Sequence, residues 1–78
     1  MEIIYSRHLL EEIAFLGIRK EFVEMCVKKP DMVLPAKDRR KAYLKDMGVN
    51  YLKVIVVEDG NKLVVITAYW FAKKRLKS

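Results

Sequence analysis

The chain has 78 residues, 53% hydrophobic and 33% charged, which supplies enough apolar surface for one folded domain over residues 1–78 and leaves no room for a second. Sixteen Lys and Arg against ten Asp and Glu give a net charge of +6, which makes RNA or another polyanion the leading partner, although lysine-rich surfaces also serve solubility. A single cysteine excludes an intrachain disulfide and a cysteine pair for zinc. No run approaches the ~20 apolar residues that span a bilayer, and no basic segment followed by an apolar stretch opens the chain, so a cytoplasmic protein with no membrane partner is expected.

Glu2 to Tyr5, short and β-branched, read as a strand stub or an extended lead-in. Ser6 is a suitable N-cap for a helix from Arg7 to about Leu16, and Gly17 suits its C-terminal stop. Leu9, Leu10, Ile13 and Ala14 form its apolar stripe, with Arg7, Glu11 and in part Glu12 facing outward. A second helix from about Lys20 to Lys28 aligns Phe22, Val23, Cys26 and Val27. Lys28 and Lys29 favour its C-terminal dipole and Pro30 marks its end. In that setting Cys26 reads as a small core residue.

The pattern then turns extended. Met32 to Leu34 run up to Pro35, which suits an edge strand because it has no amide donor. Arg39 to Lys45 alternate as a charged strand, which places Arg39, Lys41 and Tyr43 on one face and Arg40, Ala42 and Leu44 on the other. After a turn around Gly48 and Asn50, Tyr51–Val57 and Lys62–Trp70 form an antiparallel hairpin, with Asp59 and Gly60, or Gly60 and Asn61, at its tip. Unbroken alternation puts Leu52, Val54, Val56, Leu63, Val65, Thr67 and Tyr69 on one face. Tyr51, Lys53, Ile55, Val57, Val64, Ile66, Ala68 and Trp70 fall on the other. Both faces are largely apolar, so one packs on the helices and the other is covered by a partner, a substrate or the C-terminal segment, which points to a homodimer. A basic tail over residues 72–78, with Lys73, Lys74, Arg75 and Lys77, extends the last strand as a short helix or frays.

Four places carry side chains able to do chemistry. His8, the only histidine, stands near a helix N-terminus, where the dipole disfavours the imidazolium and suits a general base. Arg39, Arg40 and Lys41 are consecutive cations, and arginine's planar fork reads phosphate oxygens and can stabilise a phosphorane-like transition state. The plainer reading of that triplet is an edge strand protected by charge. Tyr43 beside those cations, and Tyr69 with Thr67, can stack on a base or donate a proton. Lys53 joins Lys41, Thr67 and Tyr69 as a candidate substrate-binding group, whereas Tyr5, Tyr51 and Trp70 read as packing residues. Glu11 with Glu12 and Glu58 with Asp59 lack the facing geometry of a two-carboxylate or two-metal site, and no phosphate loop or H-E-x-x-H motif occurs. Neither a metal nor a cofactor is therefore expected.

The order Ser6-Arg7-His8 before a helix, a second helix ending Lys28-Lys29-Pro30-Asp31, a charged segment Arg39-Arg40-Lys41-Ala42-Tyr43 and a hairpin ending Val64-Val65-Ile66-Thr67-Ala68-Tyr69 resembles a family of small bacterial and archaeal domains of unknown function. That family is distantly similar to the RelE-like and BrnT-like toxin ribonucleases. The resemblance implies an α+β domain in which two N-terminal helices pack on a curled antiparallel sheet of about four strands. It also implies a metal-independent endoribonuclease, with RNA as substrate and an antitoxin protein as partner. Carried onto this chain, His8 becomes base or acid, Arg39 or Arg40 the phosphate clamp, and Tyr43, Thr67 and Tyr69 the pocket lining. The chain departs from the pattern in its first helix, where Glu11, Glu12 and Leu16 occupy a region in which relatives carry arginines. The alternative is a non-catalytic module that binds nucleic acid or pairs with itself through an apolar sheet face.

Overall fold

The computed structural model describes residues 2–76. Ser6 opens the first helix as its chemistry requires, since its side-chain oxygen accepts a hydrogen bond from the Leu9 amide at 3.0 Å, and the helix α1 runs Arg7–Phe15. Gly17 takes φ 72 to turn the chain out of it. The helix α2 spans Lys20–Lys28; Arg19 starts it without a side-chain cap, and Pro30 follows its last turn.

Among the described residues, five strands follow or precede these helices. They are β1 (Glu2–Tyr5), β2 (Met32–Pro35), β3 (Lys41–Asp46), β4 (Asn50–Asp59) and β5 (Lys62–Ala72), with a 3₁₀ turn at Lys73–Leu76. Their order across the sheet is β1-β5-β4-β3-β2. This corrects the expected antiparallel sheet of about four strands. The lead-in segment is a full strand, it pairs parallel with β5 from Glu2↔Lys62 to Tyr5↔Val65, and the sheet is five-stranded and mixed. The physical reason is topological: the two helices carry the chain from β1 across one face to β2 at the opposite edge, and the meander β2–β5 then returns with β5 running beside β1 in the same direction. The basic tail takes the short-helix form, and Lys77 lies outside the described residues.

Both helices lie on one face of the sheet, α1 against β5 and α2 against β3 and β4. The core between them joins Leu9, Ile13, Ile18, Val23, Cys26 and Val27 to Leu52, Val54, Val56, Leu63, Val65 and Ala68. Among the described residues, none of the buried ones is polar or charged. Each fully buried Val or Leu here contributes about 1.5–3 kcal/mol. Leu10 and Ala14, expected on the core stripe of α1, are exposed, because α1 lies at the margin of the sheet and only Leu9 and Ile13 reach the core. The face carrying Val54 and Val65 is the one beneath the helices and is closed to a partner.

Two local features reset the expected faces. First, β4 and β5 pair regularly from Asp59↔Lys62 to Val56↔Val65, with Gly60 and Asn61 at the tip, and then shift so that Ile55 pairs with Thr67. Ile66 is the extra residue of a β-bulge. Beyond it, Ala68 enters the core, while Thr67, Tyr69 and Phe71 turn to the face away from the helices, opposite Ile55, Lys53 and Tyr51. Second, β3 begins at Lys41, so Arg39 and Arg40 belong to the β2–β3 turn and not to a strand. Asp38 and Arg39 there take φ 59 and 62, and the Arg40 amide donates to the Lys37 carbonyl at 3.2 Å. Two consecutive positive φ values inside an i→i+3 turn are the signature of a type I′ turn, and the Ala36 amide, donating to the Arg40 carbonyl at 3.0 Å, closes the hairpin around Lys37, Asp38 and Arg39.

Candidate functional site

The bulge at Ile66 builds the most chemically distinctive surface of the molecule. With Thr67, Tyr69 and Phe71 in one row on β5 and Tyr51 and Lys53 in the next row on β4, aromatic rings and an ammonium group alternate across the strand pair. The Lys53 Nζ lies 4.4 Å from the centroid of the Phe71 ring and 5.7 Å from that of Tyr69. Lys73 Nζ stands 5.7 Å over the Tyr51 ring and 2.7 Å from an Asp46 carboxylate oxygen. Each cation held over a ring at a half-open site contributes roughly 0.5–1 kcal/mol. Through that hydrogen bond, and with the Gly48 amide donating to the same oxygen at 2.9 Å, Lys73 holds the Asp46 carboxyl below the usual carboxylate range.

The same row reaches α1. Beyond Val65, no strand among the described residues pairs with β5 on its β1 side, and α1 packs against β5. The Thr67 hydroxyl donates to one oxygen of Glu12, and the other oxygen of Glu12 lies 4.0 Å from His8 Nε2. Glu12, expected to point outward in part, is therefore the joint between the histidine and the β5 row. The His8 side chain is 85% exposed and Glu12 35%. His8, Thr67, Tyr69 and Lys53 thus lie along one continuous edge-to-face surface.

The remaining candidates sit elsewhere. Tyr43 faces the helices and packs on the core, and its carbonyl oxygen is 3.3 Å from the Cys26 sulfur. Lys41 shares the core-side row with Val56 and gives its ammonium to Glu58 at 3.1 Å. Arg39 and Arg40 stand at the β2–β3 tip. Row by row, Lys41 lies beside Val56, Val56 beside Val65, and Val65 beside Tyr5, so three strand spacings, about 14 Å, separate β3 from β1 and the start of α1. Among the described residues no hydrogen bond or ion pair joins His8 to Arg39, Arg40 or Tyr43. No group of three or more His, Cys, Asp or Glu side chains is placed to hold a metal ion among them, and no helix is long and apolar enough to cross a membrane.

The elements that give this surface its shape, from the last residue of β1 to the penultimate rows of β5, coincide with a recognised sequence family over residues 5–70. The chain belongs to the family described as Domain of unknown function (DUF4258). The DUF4258 match takes in His8, Glu12, Lys53, Thr67 and Tyr69, whereas Phe71 and Lys73 lie just past its end. It supports the small domain of unknown function and carries no link to RelE-like or BrnT-like toxins. No curated protein and no solved structure matches the chain.

Sequence reasoning missed Glu12, Tyr51, Phe71 and Lys73 as members of this surface. A usable signal was present, because Tyr69, Phe71 and Lys73 continue a period of two past Trp70, where the strand was expected to stop.

Proposed function

We propose that this domain binds single-stranded RNA on the face formed by Tyr51, Lys53, Thr67, Tyr69 and Phe71. The observation that carries this is the Lys53 ammonium set between the Tyr69 and Phe71 rings. Single strands are held by π-faces on which bases stack, with cations between them for the phosphates, and both are interleaved here at strand spacing. A net charge of +6 draws the polyanion in. The test is fluorescence anisotropy of a labelled twelve-nucleotide uridine oligomer. Tyr69→Ala is expected to weaken binding by about 1–3 kcal/mol, roughly 5- to 150-fold, with the fold intact by circular dichroism. Equal affinity of Tyr69→Ala and the unchanged protein would end this reading, as would no binding at all.

Cleavage of the bound strand is a second reading, favoured by the His8–Glu12 pair at the margin of that face. The Thr67 hydroxyl donates to the Glu12 carboxylate and fixes it beside the imidazole. His8 would then pass a proton to or from the ribose 2′-hydroxyl or the leaving oxygen. Incubation with RNA in metal-chelated buffer separates the cases. Cleavage that disappears in His8→Ala supports the ribonuclease, and equal, negligible cleavage by both leaves binding alone.

A further inference from the structure

The β2–β3 tip holds an arginine where the backbone favours glycine or asparagine. Arg39 sits at φ 62, in the left-handed region that costs an L-residue with a long side chain appreciable strain. Strain kept at a solvent-exposed hairpin tip, where a glycine would relieve it at no cost to packing, points to a use for the side chain. Lys37, Arg39 and Arg40 are all exposed, and among the described residues none of them makes a side-chain hydrogen bond or ion pair. Three carboxylates stand nearby, Asp38 in the turn itself and Glu58 and Asp59 beside Arg39. Glu58 is already occupied by Lys41, and neither Asp38 nor Asp59 pairs with the arginines. Arg39 further lines a shallow recess with Val57 and Val64. Those two residues pair across β4 and β5 one step out of phase with the buried Val56 and Val65, so they belong to the same face as Lys53 and Tyr69. Along β4, Val57 lies four residues from Lys53, roughly 13 Å.

We infer that the Lys37–Arg40 tip is a phosphate clamp for the strand bound on the aromatic face. Arg39 and Arg40 hold backbone phosphates at one end of a lane whose other end stacks bases on Tyr69 and Phe71. Arginine's fork is matched to phosphate oxygens, and the type I′ turn presents the two guanidinium groups from adjacent positions on a rigid tip. This inference rests on the RNA-binding reading, and it adds a division of labour in which the two ends of the lane answer to salt differently.

The experiment measures the same uridine oligomer over a series of salt concentrations with unchanged protein, Arg39→Gly, Arg40→Gln and Tyr69→Ala, together with thermal melts. Each arginine variant is expected to lower the slope of log Kd against log salt by about 0.7, the share of one phosphate on a single strand. Tyr69→Ala is expected to weaken binding at every salt concentration with the slope unchanged. Arg39→Gly is further expected to raise the melting midpoint by about 4 °C, because it removes the strain while it removes the clamp. A residue with a purely structural role would not lose affinity and gain stability together. Unchanged slopes in Arg39→Gly and Arg40→Gln, with Tyr69→Ala still weakened, would overturn the clamp and leave the binding face standing. Failure of the unchanged protein to bind would overturn both.

Discussion

The two faces of this sheet are made from the same two strands by opposite rules. On the helix side, Leu52, Val54, Val56, Leu63, Val65 and Ala68 are aliphatic and at most 4% exposed, so the face is dry and interchangeable with many others of its kind. On the other side, Tyr51, Lys53, Thr67, Tyr69 and Phe71 are half-buried and joined by cation–ring contacts or, at Thr67, by a hydrogen bond to a carboxylate. The first face accounts for stability and the second for chemistry, and a single extra residue, Ile66, decides which side chains of β5 belong to which. The difference teaches that in a domain this small a bulge is the least costly way to move an aromatic pair out of the core without changing the fold.

Val54→Asp is the most severe way to break that division. It puts an unpaired carboxylate at the centre of the dry, helix-side face, where Val54 is fully buried. The expected outcome is loss of a cooperative transition in chemical denaturation. Leu52→Ala sharpens the contrast instead. Truncating a fully buried core leucine is expected to cost about 2–5 kcal/mol in urea unfolding, while the RNA affinity of the remaining folded protein stays the same. If affinity fell in step with stability, the two faces would not be separable.

The smallest expected effect concerns pH. Asp46 has its carboxyl lowered by the Lys73 hydrogen bond and the Gly48 amide, so its contribution to stability is fully present above the ordinary carboxylate value of 3.8 and is lost as pH falls through the lowered value of the folded state. In Asp46→Asn, melting curves are expected to lose that part of the acid-side decline while Lys73, freed from its partner, becomes available to a phosphate. An unchanged acid limb would show that the pair carries no linkage.

What could be read from the chain alone follows the range of the interactions involved. Both helices were legible, because Ser6, Gly17 and Pro30 act on their nearest neighbours and Leu9, Ile13, Val23 and Cys26 repeat at helical spacing. The β4–β5 hairpin was legible for the same reason. The parallel docking of β1 on β5 was not, since Ile3 and Ile4 are as apolar as any strand and nothing local states which partner they choose. Nor was the bulge, which lies inside a run of Val64, Val65, Ile66 and Thr67 with no glycine to mark it. That omission regrouped the candidate site, because Thr67 and Tyr69 were assigned to the Val54 face by a count of two that the chain does not keep. The β2–β3 turn was hidden in a comparable way, since a tight turn through Asp38 and Arg39 violates the usual choice of residues.

Cys26 gives the domain a built-in clock. It is the only cysteine, it is fully buried against the Tyr43 and Leu52 carbonyls, and burial pushes its thiol up to about 12, with Lys45 lowering it and Asp31 raising it to lesser degrees. At neutral pH essentially none of it is the reactive thiolate while the protein is folded, so an alkylating reagent added to the native protein waits for the core to open. The rate at which a single mass increment appears therefore reports on that opening, as its rate where alkylation outruns reclosing and as its population where reclosing is faster, without denaturant and without any label introduced into the chain.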